Sequence, residues 1–172
     1  MKKITDRILL AAAACAISTF PSRMVLRLLH KLRVMNYNYS YDELGGRLFM
    51  VSRAVKTPLG RFSGFVVNQT NNLMFTTALT YLLSATGRDK AVLKGIGLSM
   101  TSWVLLNGLT AGTLLKNKSK EPTTPFIGLL VHTLTGALSG LVISTLGDES
   151  LFPDTKMNDN NDKLPIVAGM SQ

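Results

Sequence analysis

A chain of 172 residues with a mean hydropathy of +0.22 has room for one domain, or for three or four membrane spans with short connections. Its net charge of +9 invites a nucleic-acid partner, but most basic residues sit at the ends of apolar windows or on short loops, as membrane flanks do. No zinc spacing or RNA-binding aromatic motif accompanies them, and the single cysteine, Cys15, excludes an intrachain disulfide.

The distribution of charge is more telling than its sum. There are 26 uncharged residues between Arg61 and Arg88, 21 between Lys94 and Lys116, and 26 between Glu121 and Asp148. A soluble helix needs a charged or polar outer face, and these windows offer mostly Leu, Val, Met, Phe, Gly and Thr. The competing reading is a soluble helical bundle with Ser, Thr and Asn as its wet face, since no span is a strict run of 18 apolar residues. The windows favour lipid.

Met1–Arg7 is a basic leader to the Ala-rich run from Ile8 to Phe20. A cleaved signal peptide, a lipoprotein signal lipidated at Cys15 and a retained first helix all compete for it. The lipoprotein pattern wants a large aliphatic residue three positions before the cysteine, and Ala12 stands there. A retained helix is favoured. The 15 residues between Arg7 and Arg23 cover about 22 Å, which snorkelling of Arg23 and Arg27 extends. Arg23, Arg27 and Lys31 form a stripe spaced by four, expected to contact anionic lipid head groups. The stripe either continues the first helix or bends at Pro21 to lie on the surface. His30 beside it has no partner ligand nearby and reads as a surface residue.

Asn36–Tyr41 alternates Asn or Ser with Tyr, which suits an extended connection or the head-group belt. Ser40 and Glu43 have capping-box spacing ahead of Leu44, Leu48, Phe49, Val51 and Val55. They predict an interfacial amphipathic helix over Tyr41–Lys56, weakened by Gly45-Gly46; its rival is a loop helix packed on the bundle end. Thr57-Pro58 reads as an N-cap and first-turn proline, opening a helix that runs to about Ala85 and ends at Gly87.

In that helix Gly60, Gly64, Asn68, Asn72, Thr76, Thr80 and Ser84 fall at every fourth position. Asn68, Gln69, Asn71 and Asn72 make it the most polar span, and lipid cannot satisfy their amides, so they should face helices or water. The sequon Asn68-Gln69-Thr70 lies inside the span and is set aside. A third helix is expected from Ala91 to Leu115, with Lys94 snorkelling, Asn107 as its one amide and Gly108–Gly112 as a GxxxG pair. After the polar turn Lys116–Pro125 comes Phe126–Leu146, 21 uncharged residues, about 31 Å as a helix. Gly128, His132, Gly136, Gly140 and Ser144 recur there every four residues, a small-residue seam with an imidazole set into it. The polar, acidic tail from Asp148 to Gln172 reads as disordered.

No HExxH, GxSxG, Walker loop or cysteine–histidine cluster occurs, and no carboxylate lies in a span. Neither enzyme activity, cofactor nor metal is therefore expected. His132 is the one group in the uncharged windows from residue 62 on that can titrate near neutral pH, and is expected to bond Asn68, Asn72 or Asn107 on a neighbouring helix.

Lys94-Gly95, Trp103 and Gly108, followed by Pro125, His132, Gly136 and Gly140, resemble the last two helices of a group of uncharacterised small membrane proteins of spore-forming bacteria. The resemblance covers about residues 8–147. It implies a retained first helix, a longer first loop and three further spans, with no activity attached. The Asn68–Asn72 cluster and the basic Arg23–Arg33 stretch depart from the group.

The expectation is an all-α, four-helix transmembrane bundle in the cell membrane, with spans at 8–26, 62–85, 95–115 and 126–146 and one or two interfacial helices in the first loop. One functional reading is a non-enzymatic scaffold or partner subunit, self-associating or bound to another membrane protein. It packs through Gly108, Gly112, Gly128, Gly136 and Gly140 and has no nucleic-acid role. The other is a small-solute or ion pathway in which Asn68, Asn72, Thr76, Asn107 and His132 supply the polar lining.

Overall fold

The structure, a computed structural model, describes residues 3–32, 34, 41–106, 108–109 and 123–153. Over these the chain is all-α: α1 (Arg7–Lys31), α2 (Tyr41–Gly46), α3 (Ser52–Val55), α4 (Pro58–Thr86), α5 (Ala91–Trp103) and α6 (Thr123–Leu146). Wider, π-type turns carry α5 on to Leu106, and a 3-10 turn follows α6 at Glu149–Leu151. The tail expected to be disordered from Asp148 instead begins ordered, with Leu151 and Phe152 buried in the core, and its remainder beyond Pro153 lies outside the described residues.

Local chemistry sets the helix ends. Asp6 caps α1, its carboxylate accepting the Leu9 N–H at 2.7 Å. Pro21 removes one backbone donor but does not end the helix, which runs unbroken to Lys31; of the two paths open to the basic stripe, continuation is the one taken. The Thr57 hydroxyl accepts the Gly60 N–H at 3.1 Å with Pro58 in the first turn of α4. Gly87, at φ 86°, closes α4 in a backbone region that a side chain would strain. Lys94 donates to the carbonyls of Thr86 and Gly87 and to Asp89 at 2.9–3.1 Å. It therefore caps the end of α4.

The expected helix over Tyr41–Lys56 is instead broken into α2 and α3, and α2 is pinned to α4. A Cβ on Gly45 would meet Asn68 Oδ1 at 2.6 Å, and one on Gly64 would fall on the Asp42 carbonyl. Backbone contact of that closeness takes two glycines and holds α2 on the bundle. The apolar residues of the segment do not share one face either: Val55 is buried while Leu48, Phe49 and Val51 are exposed. This is packing on the bundle end, as in the rival reading.

The four main helices alternate in direction. Ser18 and Ser22 of α1 meet Ser139 and Thr135 of α6; Ala91 and Gly95 of α5 meet Gly140 and Gly136 of α6; Arg7 and Arg23 of α1 meet Ser84 and Gln69 of α4. The order around the bundle is α4, α1, α6, α5, with α5 touching α4 only lightly. At the end holding the start of α1, Leu10, Ala14, Leu79, Leu83, Ala91, Ile143, Leu151 and Phe152 form an apolar core. Ile4 closes that end by exchanging backbone bonds with Leu146 and Asp148.

Outside this core the bundle is inverted relative to a water-soluble one. Ser18, Thr76, Thr80, Thr124 and Ser139 are fully or almost fully buried, whereas Ile8, Phe20, Phe62, Met74, Leu93 and Phe126 are each at least 60% exposed. Two helices, α1 and α6, are long and apolar enough to cross a membrane. The 29 residues of α4 have the length, but the Asn68–Asn72 cluster lowers their hydropathy.

Candidate functional site

Between α1, α4, α5 and α6, on the side away from the apolar core, lies a cavity of about 40 Å³. A water needs about 10–15 Å³. Thr19, Ser22 and Arg23 line it from α1; Asn71, Asn72 and Phe75 from α4; Ser99 and Ser102 from α5; Val131, His132 and Thr135 from α6. Small polar residues recur at helical spacing on all four walls, which places hydroxyls, amides and an imidazole around one space.

Some of these groups are satisfied locally. Ser22 Oγ donates to the Ser18 carbonyl at 3.0 Å, and Ser99 Oγ to the His132 carbonyl at 2.6 Å. Thr135 Oγ1 lies 2.9 Å from the Val131 carbonyl and 2.7 Å from Ser22 Oγ. His132 Nδ1 donates to the Gly128 carbonyl at 2.9 Å, one turn back on its own helix, which requires the proton on Nδ1. Its backbone, through Ser99, makes an interhelical bond.

Others are not. The side-chain amides of Asn71 and Asn72 and the Ser102 hydroxyl have no hydrogen-bond partner among the described residues. No side-chain polar atom fully sealed from solvent among the described residues lacks a partner, so these groups reach accessible space.

Arg23 departs furthest from expectation. Placed by its spacing among lipid head groups, it turns inward, its side chain 19% exposed. Nη2 donates to both Asp42 carboxylate oxygens at 2.9 Å and Nη1 to Gln69 Oε1 at 3.3 Å, and the guanidinium stacks 4.5 Å above Phe65. The counter-charge on α2, invisible to a reading of α1 alone, draws it in. Arg27 and Lys31 remain exposed at the helix end.

The other candidates divide. Asn68 is buried under α2, donating to Asp42 at 3.4 Å, and is not among the cavity's lining residues. Thr76 turns its hydroxyl back to the Asn72 and Leu73 carbonyls and is not among them either. Gly136 and Gly140 are consumed inside the chain: a Cβ on either would strike the α5 backbone, at Gly95 or Ala91. Gly128 is buried and supplies the carbonyl that holds His132. Gly108 is exposed, with nothing near its missing Cβ but Val104 of its own helix at 3.9 Å. Asn107 and Gly112 lie outside the described residues.

No protein-family model, curated protein or solved structure matches the chain. Among the described residues, no three of His, Cys, Asp and Glu gather as metal ligands would.

Proposed function

We propose that this chain is a multi-pass integral membrane protein of the cell membrane, with α1, α4, α5 and α6 crossing the bilayer. Its cavity is a hydrated element of a small-solute or ion pathway, and the protein is not an enzyme. The carrying observation is the set of partnerless groups, Asn71, Asn72 and Ser102, around one space within the bundle. An amide left dry in hydrocarbon costs several kcal/mol, so polar groups at that depth line water or bond to protein. The inversion of small polar residues inward and large apolar residues outward supports the lipid setting.

A scaffold reading retains one observation of its own. On the outer side of α5, a Cβ placed on Gly97 would have no atom within 4 Å, and Gly108 is exposed as well, leaving room for the close approach of another helix. Gly136 and Gly140 of α6 are packed against α5 within the chain.

In a Cys15→Ala background, Asn72→Cys and Ser102→Cys should be alkylated by iodoacetamide in intact membranes, because the reactive thiolate forms only where water reaches. Leu79→Cys, fully buried in the apolar half, should resist. Silence at both cavity positions rejects the pathway; release of the chain from membranes by alkaline carbonate rejects the bilayer setting as well.

A further inference from the structure

We propose that the end of the bundle built by α2, α3 and the first turn of α4 sits in the head-group layer of the bilayer and selects anionic phospholipid. This rests on the bilayer setting proposed above and names the lipid that the surface takes.

Residues 46–60 fold into a knot with two sides. On the inner side a Cβ placed on Gly46 would lie 3.1–3.3 Å from Val55, the Gly60 carbonyl and Met50. On the outer side Phe49 and Val51 are each 75% exposed and Leu59 is 74% exposed. The side chains of Arg53 and Lys56 are exposed among them, with no ion pair or hydrogen bond among the described residues. Large apolar side chains this open to water mark an interaction surface, and the head-group boundary takes apolar groups and cations together.

Helix register brings further cations to the same level. Arg7 meets Ser84 and Arg23 meets Gln69, so α1 and α4 run antiparallel nearly residue for residue. About one and two turns beyond Arg23, the exposed Arg27 and Lys31 therefore come level with Phe65 and Arg61. They lie about 30 and 36 Å along α1 from Arg7, which spans the hydrocarbon core and reaches the facing head groups.

Charge selects the lipid. Asp42 and Glu43, the two carboxylates between Arg23 and Arg61 in sequence, are paired to those same two arginines. Arg27, Lys31, Arg53 and Lys56 thus present positive charge at head-group depth. A zwitterionic leaflet offers them no net attraction, whereas an anionic one offers a negative potential that reaches about a Debye length. An acidic protein would satisfy the cations, but the depth puts Phe49, Val51 and Leu59 where lipid already is.

The test uses the full chain in vesicles of phosphatidylcholine with a fixed minority of phosphatidylglycerol. Phe49→Trp in a Trp103→Phe background is the single fluorophore. Bromines on the acyl chains should quench it. Those carried by phosphatidylglycerol should quench about twofold or more beyond that lipid's share of the bilayer, since each Lys or Arg near an anionic surface adds attraction. High salt should reduce the excess. Arg53→Gln/Lys56→Gln should roughly halve it, while Lys90→Gln, an exposed cation of the opposite end, should keep it. Should Phe49→Trp fail to fold, Val51→Trp reports from an equally exposed position. The unsubstituted chain in non-ionic detergent should also melt higher with added phosphatidylglycerol than with added phosphatidylcholine, because a ligand of the native state stabilises it.

Quenching in proportion to the lipid's share, equal melting temperatures in the two lipids, or an equal loss with Lys90→Gln overturns the anionic selection. An excess indifferent to Arg53→Gln/Lys56→Gln does the same. An unquenched reporter in a chain that resists alkaline carbonate overturns the lipid seat and leaves the bundle in the bilayer; release by carbonate takes both.

Discussion

Gly95 and Gly136 face each other with no atom to spare, each under the carbonyl of the other. Gly136→Ala forces a methyl into the α5 backbone, and overpacking of this kind costs roughly 1–3 kcal/mol, read as a lowered melting temperature in detergent. Gly97→Ala sits two residues from Gly95 with open space before it, and should match the parent or gain up to about 1 kcal/mol from helix propensity. A similar loss at both positions would mean that an unseen partner, rather than the α5–α6 contact, sets the effect, since helix propensity alone favours alanine. Asp148 offers a pH handle at the same scale. The Ser150 hydroxyl and then the Ser150 amide hold its carboxyl below its ordinary range. Its contribution to the closing turn is thus complete above the unfolded-state pKa and lost as pH falls through the lower folded one. The Ser150 amide resonance, followed by NMR on acidification, should move with a midpoint below that of an unperturbed aspartate.

At the scale of elements, α2 shows what spacing reveals and what it hides. Gly45-Gly46 warned that a helix over Tyr41–Lys56 would be weak, and the Thr57-Pro58 cap and Gly87 stop gave α4 nearly to the residue. Those signals are local, carried by one dihedral or one hydroxyl. That α2 docks on α4 depends on Gly64 and Asn68 meeting it from a different helix, and that Arg23 turns inward depends on Asp42. The recurrence of Gly60, Gly64 and Asn68 was legible as a ridge, whereas its partner was not. Gly64→Val should therefore undock α2 while leaving α4 helical, since a β-branched side chain has no room over the Asp42 carbonyl. Faster hydrogen exchange confined to residues 41–46, with far-UV dichroism nearly unchanged, is the expected result. Unchanged exchange at α2 would remove the glycine contact as its anchor.

For the whole molecule, the alternating helices gather the charges at two ends. The cavity side carries Arg23, Arg27, Lys31, Arg47, Arg53, Lys56 and Arg61, with Asp42 paired to Arg23 and Glu43 to Arg61. The opposite end pairs its basic residues more evenly, with Asp6, Asp89, Asp148 and Glu149 among Lys3, Arg7, Arg88, Lys90 and Lys94. With four crossings and the N-terminus outside, cytoplasmic segments hold 11 Lys or Arg; with it inside, they hold eight. The bundle strengthens the first choice for a reason that counting misses. The excess lies on exposed ends such as Arg27, Lys31, Arg53 and Lys56, free to meet the anionic cytoplasmic leaflet, whereas Lys94 is taken up by the end of α4. A compartment-specific reporter fused after Gln172 should then be active outside the cytoplasm, and a second placed in the Lys116–Lys120 connection should be active inside. Finding the two positions on the same side would leave no crossing between them, and α6 would lose its place as a span.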